Sequence, residues 1–291
     1  MSDGSLLLRL WRAALYLAVT IVAAPIQAVL LLVKSPLARR FPAAYHRLCC
    51  RALGFSIETV GTMSTMRPTL FVANHQSYLD IPIIGSVIEG SFVAKAEIAD
   101  WPYFGFLAKL QRSIFIDRRP GSTAKQRDAL MRRLEEGDDL IIFPEATSSD
   151  GLHVLPFKSA LLSVAELHPR GKPLAVQPVT VAYTRLDGMP LGRFYRPFVS
   201  WYGGMEVSPH LWTMLGLGRL TVRIIFHPTV TIEEFGSRKA LAEHCYRVIA
   251  TTLALTLAGR GPGDDAALAR AADAVLAGWG DAADADTAEV E

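Results

Sequence analysis

Apolar positions along this chain fall into two regimes. Residues 13–33 (AALYLAVTIVAAPIQAVLLLV) carry no charged side chain, and as a helix they would run about 31 Å, close to the thickness of a hydrocarbon core. Beyond that segment the apolar runs shorten to strand length, at 55–60, 69–73, 91–94, 113–116, 139–143, 174–183 and 220–226. Several are apolar throughout, the pattern of strands covered on both faces. Between the fourth and fifth runs a helix is predicted. Ser122 or Thr123 can cap it, Ala129, Leu130 and Leu134 form its apolar stripe, and Gly137 can end it. Strands alternating with helix predict an α/β domain, its helices packed on a mixed or largely parallel sheet.

The first segment has three competing readings. Arg9 and Arg12 precede the uncharged run and Lys34, Arg39 and Arg40 follow it, so flanking charge sets no orientation. A cleaved signal peptide is disfavoured, because the run is long and Pro25 would follow the best small-residue site. Pro25 near the middle, with Gln27 behind it, suits a helix broken into a hairpin that dips into one leaflet; a single span fits equally, and a buried core helix is the bland alternative. Residues 1–45 are therefore expected to be a membrane-associated anchor and residues 46–258 the α/β domain. Residues 259–291 open with Gly259, Gly261, Pro262 and Gly263 and continue rich in Ala and Asp, which predicts a mobile acidic tail with little tertiary packing.

Composition sharpens the picture in two places. The chain has 291 residues, 51% of them hydrophobic and 20% charged, which excludes a disordered or fibrous chain. Removing the one base and eight acids of residues 261–291 from the chain's 30 and 28 leaves 29 bases and 20 acids, a net of +9 over residues 1–260. A basic, apolar-rich body points to acidic partners such as a membrane surface or a nucleic acid. No recognisable nucleic-acid module supports the second. Three cysteines, Cys49, Cys50 and Cys245, form no C-x-x-C pair, and the odd count suits a reducing compartment.

Candidate chemistry is narrowed first by what is missing. The sequence has no G-x-S-x-G elbow, no G-x-x-x-x-G-K loop and no H-E-x-x-H pair, so serine hydrolases, P-loop NTPases and zinc peptidases have no foothold and no metal is expected. Asn74-His75-Gln76-Ser77-Tyr78-Leu79-Asp80 follows an apolar strand directly, where active sites of α/β sheets gather. Ser77 and Asp80 match a helix capping box with Asp in place of Glu, which puts His75 on the turn leading into a helix. From there the Asp80 carboxylate can reach back to the imidazole, fix its tautomer and strengthen the other nitrogen as a base. Taken alone, the pattern is more often a loop histidine beside a capping aspartate. Three further blocks follow in order: Ile114-Phe115-Ile116-Asp117-Arg118-Arg119, Phe143-Pro144-Glu145-Ala146-Thr147-Ser148-Ser149 and Val176-Gln177-Pro178-Val179.

The four blocks, over roughly residues 50–230, resemble the membrane-bound glycerolipid acyltransferases typified by 1-acylglycerol-3-phosphate O-acyltransferases. The resemblance implies that His75 is the general base for a lysolipid hydroxyl attacking an acyl thioester, with Asp80 orienting its ring. It implies an acceptor site shaped by Glu145 and Thr147, with Arg118 binding an anionic group. Lys95, at another strand end, is a further candidate for neutralising a phosphate or a developing oxyanion, with solvated surface charge as the alternative. No cofactor is expected, since the co-substrate, acyl-ACP (acyl carrier protein) or acyl-CoA, arrives already activated.

Where that family carries Gly-Thr-Arg-Ser, this chain has Ala146-Thr147-Ser148-Ser149, so Ser148 replaces the arginine expected to grip a phosphomonoester. The run through Asp150 and Gly151, with Trp201-Tyr202-Gly203-Gly204-Met205, is similar to the lyso-ornithine lipid O-acyltransferases instead. The expected function is acylation of lyso-ornithine lipid on the cytoplasmic face of the inner membrane. Synthesis of phosphatidic acid, a non-catalytic lipid-binding role and a thioesterase-like hydrolase are the alternatives. His227, after the last strand, is expected to be structural, and the aromatic-rich stretch 194–215 to be either a membrane-contacting surface or a core edge.

Overall fold

The computed structural model describes residues 4–116 and 123–259. Its strands form one sheet: β1 (Phe55–Val60), β2 (Thr69–Ala73), β3 (Gly90–Lys95), β4 (Ile114–Ile116), β5 (Asp139–Ile142), β6 (Ala175–Leu186), β7 (Met189–Pro190) and β8 (Leu220–Phe226). The order is β1-β8-β6-β2-β5-β3-β4, with β7 a short partner of β6. β6 runs antiparallel to β8 and β7, and every other pairing is parallel. The seven predicted strands all form, with ends shifted by at most a few residues.

Around the sheet lie α1 (Leu6–Leu32), α2 (Phe41–Leu53), α3 (Asp80–Gly85), α4 (Phe104–Leu110), α5 (Thr123–Glu135), α6 (Val207–Leu215) and α7 (Arg238–Leu257). Alternation along β2 explains the layering. Phe71 and Ala73 face a core shared with Leu53 of α2, Ile83 and Ile84 of α3 and Leu215 of α6. Leu70 and Val72 face the opposite core, with Leu134 of α5 and Leu241, Cys245 and Ile249 of α7. Each fully buried aliphatic side chain contributes about 1.5–3 kcal/mol, so the central strands are held from both faces.

Of the readings open for the N-terminal segment, the structure sets one aside. α1 is one continuous helix through Pro25, so the broken-helix hairpin does not form. It is the one described helix long and apolar enough to cross a membrane, yet it is fastened to the domain along its length by its few polar residues. The Arg12 guanidinium donates to the carbonyls of Leu215, Leu217 and Gly218 at 3.3, 2.6 and 3.1 Å. Thr20 pairs with the Tyr45 hydroxyl at 2.9 Å, and the Gln27 amide donates to Ala38 and Leu110 carbonyls. The outward face is apolar, with Leu7, Trp11, Ile21, Val22, Val29 and Leu32 exposed. The anchor and domain are therefore one packed body, and a boundary at residue 45 falls inside α2. Gly54 ends that helix in a left-handed conformation, φ 79°, and a Cβ there would strike the Arg12 guanidinium.

Candidate active site

Three segments meet at the carboxyl edge of the parallel strands: the turn from β2 into α3, the loop after β5, and the middle of β6. The turn is pinned first by backbone-like contacts. Asn74 exchanges two hydrogen bonds with the Val181 peptide of β6, at 3.0 and 2.7 Å, and the Gln76 amide donates to the same carbonyl at 3.1 Å. The Gln76 carbonyl accepts from the Trp201 N–H at 2.8 Å. Gly151, at φ +74°, lets the 149–151 loop close on this turn, since a Cβ there would meet Gln76 Oε1 and Ser200 Oγ.

On this support His75 Nδ1 lies 2.8 Å from Asp80 Oδ2. The same oxygen accepts the backbone N–H groups of Gln76 and Ser77 at 2.7 and 3.0 Å, and Oδ1 accepts the Tyr183 hydroxyl at 2.8 Å. Asp80 is 0% exposed and His75 20%. Every neighbour donates to the carboxylate, so Nδ1 carries the ring proton and Nε2 keeps its lone pair. The helix begins at Asp80 rather than just after Ser77. The Asp80 carboxylate still accepts the Ser77 N–H, but the Ser77 hydroxyl has no partner among the described residues, so the reciprocal capping box does not form.

Glu145 closes the group from the β5 loop. Its carboxylate accepts the His75 N–H at 2.6 Å and the Leu155 N–H at 2.7 Å. Burial pushes this carboxyl up to about 8, reinforced by Asp80 and Asp150 and opposed by the two N–H bonds. The Ser149 N–H donates to the His75 carbonyl at 2.9 Å, and the Phe143 ring stacks on the imidazole at 4.2 Å. The loop is thus bound to the histidine by backbone, carboxylate and ring at once.

The remaining candidates are placed as follows. Thr147 is exposed and Ser148 buried in the same loop. Lys95 is exposed at the end of β3, in register with Ile116 of β4 and outside the hydrogen-bonded group. Arg118 lies outside the described residues, as does the tail from 260 onward. His227 is buried against the Thr180 hydroxyl at 2.8 Å, and burial depresses it to about 3, the structural role expected. The stretch 194–215 divides: Phe194, Tyr195 and Trp212 are exposed, whereas Arg196 and His210 are buried. Tyr183 was not anticipated from the sequence, although its alternation with Val179 and Val181 along β6 aims it at the same core.

Beside this group lies a cavity of about 450 Å³, walled by α1, α2, α3, α4 and α6. His75 lines it together with Tyr16, Ala23, Leu79, Phe104 and Leu211. The arrangement can therefore present a basic imidazole nitrogen to a reactant whose apolar part is held next to it.

The acyltransferase family pattern matches residues 56–182. The chain is 42% identical over 240 residues to the lyso-ornithine lipid O-acyltransferase of Brucella abortus, covering 81% of this chain and 90% of that one. It is 35% identical over 246 residues to the protein of that name from Rhizobium meliloti, covering 83% and 84%. A 1-acyl-sn-glycerol-3-phosphate acyltransferase from Neisseria meningitidis is 33% identical over 195 residues, covering 66% and 72%. The 1-acyl-sn-glycerophosphate acyltransferase of Thermotoga maritima has the same fold, with a TM-score of 0.61 over 85% of this chain and 94% of that one, at 21% identity. With a relative this similar along nearly its whole length, and the family pattern falling on the segment that carries His75, Asp80 and Glu145, the chain belongs to the acyltransferase family.

Proposed function

We propose that the protein acylates the free hydroxyl of lyso-ornithine lipid, completing ornithine lipid at the cytoplasmic face of the membrane. The observation that carries this is the 42% identity over 81% of the chain with a lyso-ornithine lipid O-acyltransferase. The serine at position 148, where the resemblance calls for a phosphate-gripping arginine, favours the same acceptor.

In this mechanism His75 Nε2 takes the proton of the acceptor hydroxyl as its oxygen attacks the thioester carbonyl. The C–O bond forms, the C–S bond breaks, and the imidazolium returns the proton to the departing thiolate. Asp80 stabilises the transient positive charge and holds the ring; Tyr183 and two backbone N–H groups hold Asp80. Glu145 fixes the His75 backbone, while Thr147, Lys95 and Arg118 are assigned to the acceptor's polar group. The thioester of acyl carrier protein or coenzyme A brings its own activation, so the reaction needs no cofactor and no acyl-enzyme. The apolar cavity takes a hydrocarbon chain. α1 lies in the interface with its exposed leucines in the acyl region, because a helix fastened to the domain along its length cannot cross the bilayer independently of that domain.

The test offers labelled acyl donor to detergent-purified protein with lyso-ornithine lipid or lysophosphatidic acid in separate reactions. Product from the first alone supports the proposal. Product from the second alone overturns it and assigns the chain to phosphatidate synthesis.

A further inference from the structure

Two charged side chains beside the catalytic turn have no part in the proton transfer. Asp150 follows Ser149, whose N–H donates to the His75 carbonyl, so it stands one residue from a direct bond to the histidine. Arg196 belongs to a short 3-10 helix, Arg193–Phe198, and its Nη1 donates to the Gly151 carbonyl at 3.0 Å. The two charges therefore flank one loop, residues 149–151, which is closed onto His75 and Gln76.

Arg196 is 4% exposed, yet it forms no ion pair among the described residues. Its Nε is enclosed without a partner. Its Nη2 bonds nothing among them either, and keeps accessible surface. Burial lowers its pKa, and the nearby charge of Asp150 opposes that shift. A buried guanidinium with an accessible, unpaired outer nitrogen is an incomplete fork, complementary to a carboxylate. The Asp150 side chain is 33% exposed. Its Oδ1 accepts the N–H groups of Leu152 and His153 at 2.8 and 3.1 Å, and Oδ2 lies 3.4 Å from Nδ1 of the largely exposed His153. Burial opposes ionisation, but these bonds outweigh it and hold the carboxyl below its ordinary value. Oδ2 keeps lone-pair capacity for a ligand cation. Asp150 and Arg196 are close enough to feel each other's charge and too far apart to pair directly.

We infer that Asp150 and Arg196 form the headgroup site for an amino-acid lipid, the guanidinium taking the headgroup carboxylate and Asp150 its ammonium. Ornithine acylated on one amino group carries both charges. A phosphomonoester supplies no cation and meets Asp150 as a like charge, so the pair discriminates between acceptors as well as binding one. The assignment rests on the acylation of lyso-ornithine lipid proposed above.

The experiment measures kcat and KM of the full chain in detergent for three acceptors: lyso-ornithine lipid, its carboxyl methyl ester, and the form acetylated on its free amine. Lysophosphatidic acid is offered alongside. Wild type should lose about tenfold in kcat/KM, mainly through KM, on either blocked acceptor. Asp150→Asn, which retains the acceptor oxygen of its turn, should lose about tenfold on the parent lipid and nothing further on the acetylated one. Arg196→Gln should lose about as much on the parent lipid and nothing further on the methyl ester. The wild-type and Asp150→Asn comparisons decide alone if Arg196→Gln does not fold. Wild type treating the three acceptors alike, or variants losing equally on all of them, overturns the headgroup site and leaves the proposed function standing. Transfer to lysophosphatidic acid and to none of the ornithine lipids overturns the proposed function, and the headgroup site with it.

Discussion

The Tyr183 hydroxyl donates to Oδ1 of Asp80 at 2.8 Å, while His75 Nδ1 holds Oδ2 at the same distance. β6, which carries Tyr183, runs beside β2, which leads into His75, so the orientation of the imidazole is set by the sheet. Proximity to Asp80, after burial, raises the tyrosine well above its ordinary value, so it remains a donor. Tyr183→Phe is expected to lower kcat about tenfold, with KM for acceptor little changed. A kcat–pH profile identical to wild type would show that the tyrosine acts only through packing.

Glu145 gives a pH signature. Its folded value of about 8 lies above its ordinary 4.5, so the folded state retains a proton that the unfolded chain releases. Its contribution to stability is therefore fully present below about 4.5 and is lost as pH rises through 8. The Tm advantage of wild type over Glu145→Gln should shrink across that window. An advantage that grows with pH would contradict the buried, protonated carboxyl.

Arg12 joins α1 to the domain through three carbonyls. Arg12→Met leaves those acceptors without their charged donor and should destabilise the fold by about 2–3 kcal/mol. Limited proteolysis should then cut within residues 1–40 first. An unchanged Tm would mean that apolar packing alone seats the helix.

Ala108 of α4 lines the cavity, and Ala108→Phe places a ring inside it. Long-chain donors should lose about tenfold or more in kcat/KM while short-chain donors are retained. Equal losses for both would place the chain elsewhere.

How far the sequence alone carries is clear from individual residues. β2 and the His75–Asp80 pair were legible because an apolar run, a strand end and a carboxylate five residues on are all local features. Tyr183 was not, because 103 positions separate it from Asp80 and only strand order joins them. Pro25 left a broken and a continuous helix equally open; the helix runs through it, fastened to the domain by Arg12, Thr20 and Gln27. The cavity was invisible for the same reason as Tyr183, since its walls come from five separated helices. α7 carries apolar positions at Leu241, Cys245, Val248, Ile249 and Leu253, a helical spacing that could have been read before its packing was known.

His75, held by Asp80, is the proposed base for acyl transfer. The most direct test is the initial rate of acyl transfer to lyso-ornithine lipid by wild type and His75→Ala, with melting curves and membrane binding matched. His75→Ala is expected to lose about 10²–10⁴-fold in rate with its fold and membrane binding intact. A rate within about threefold of wild type, from an equally folded protein, would contradict the mechanism.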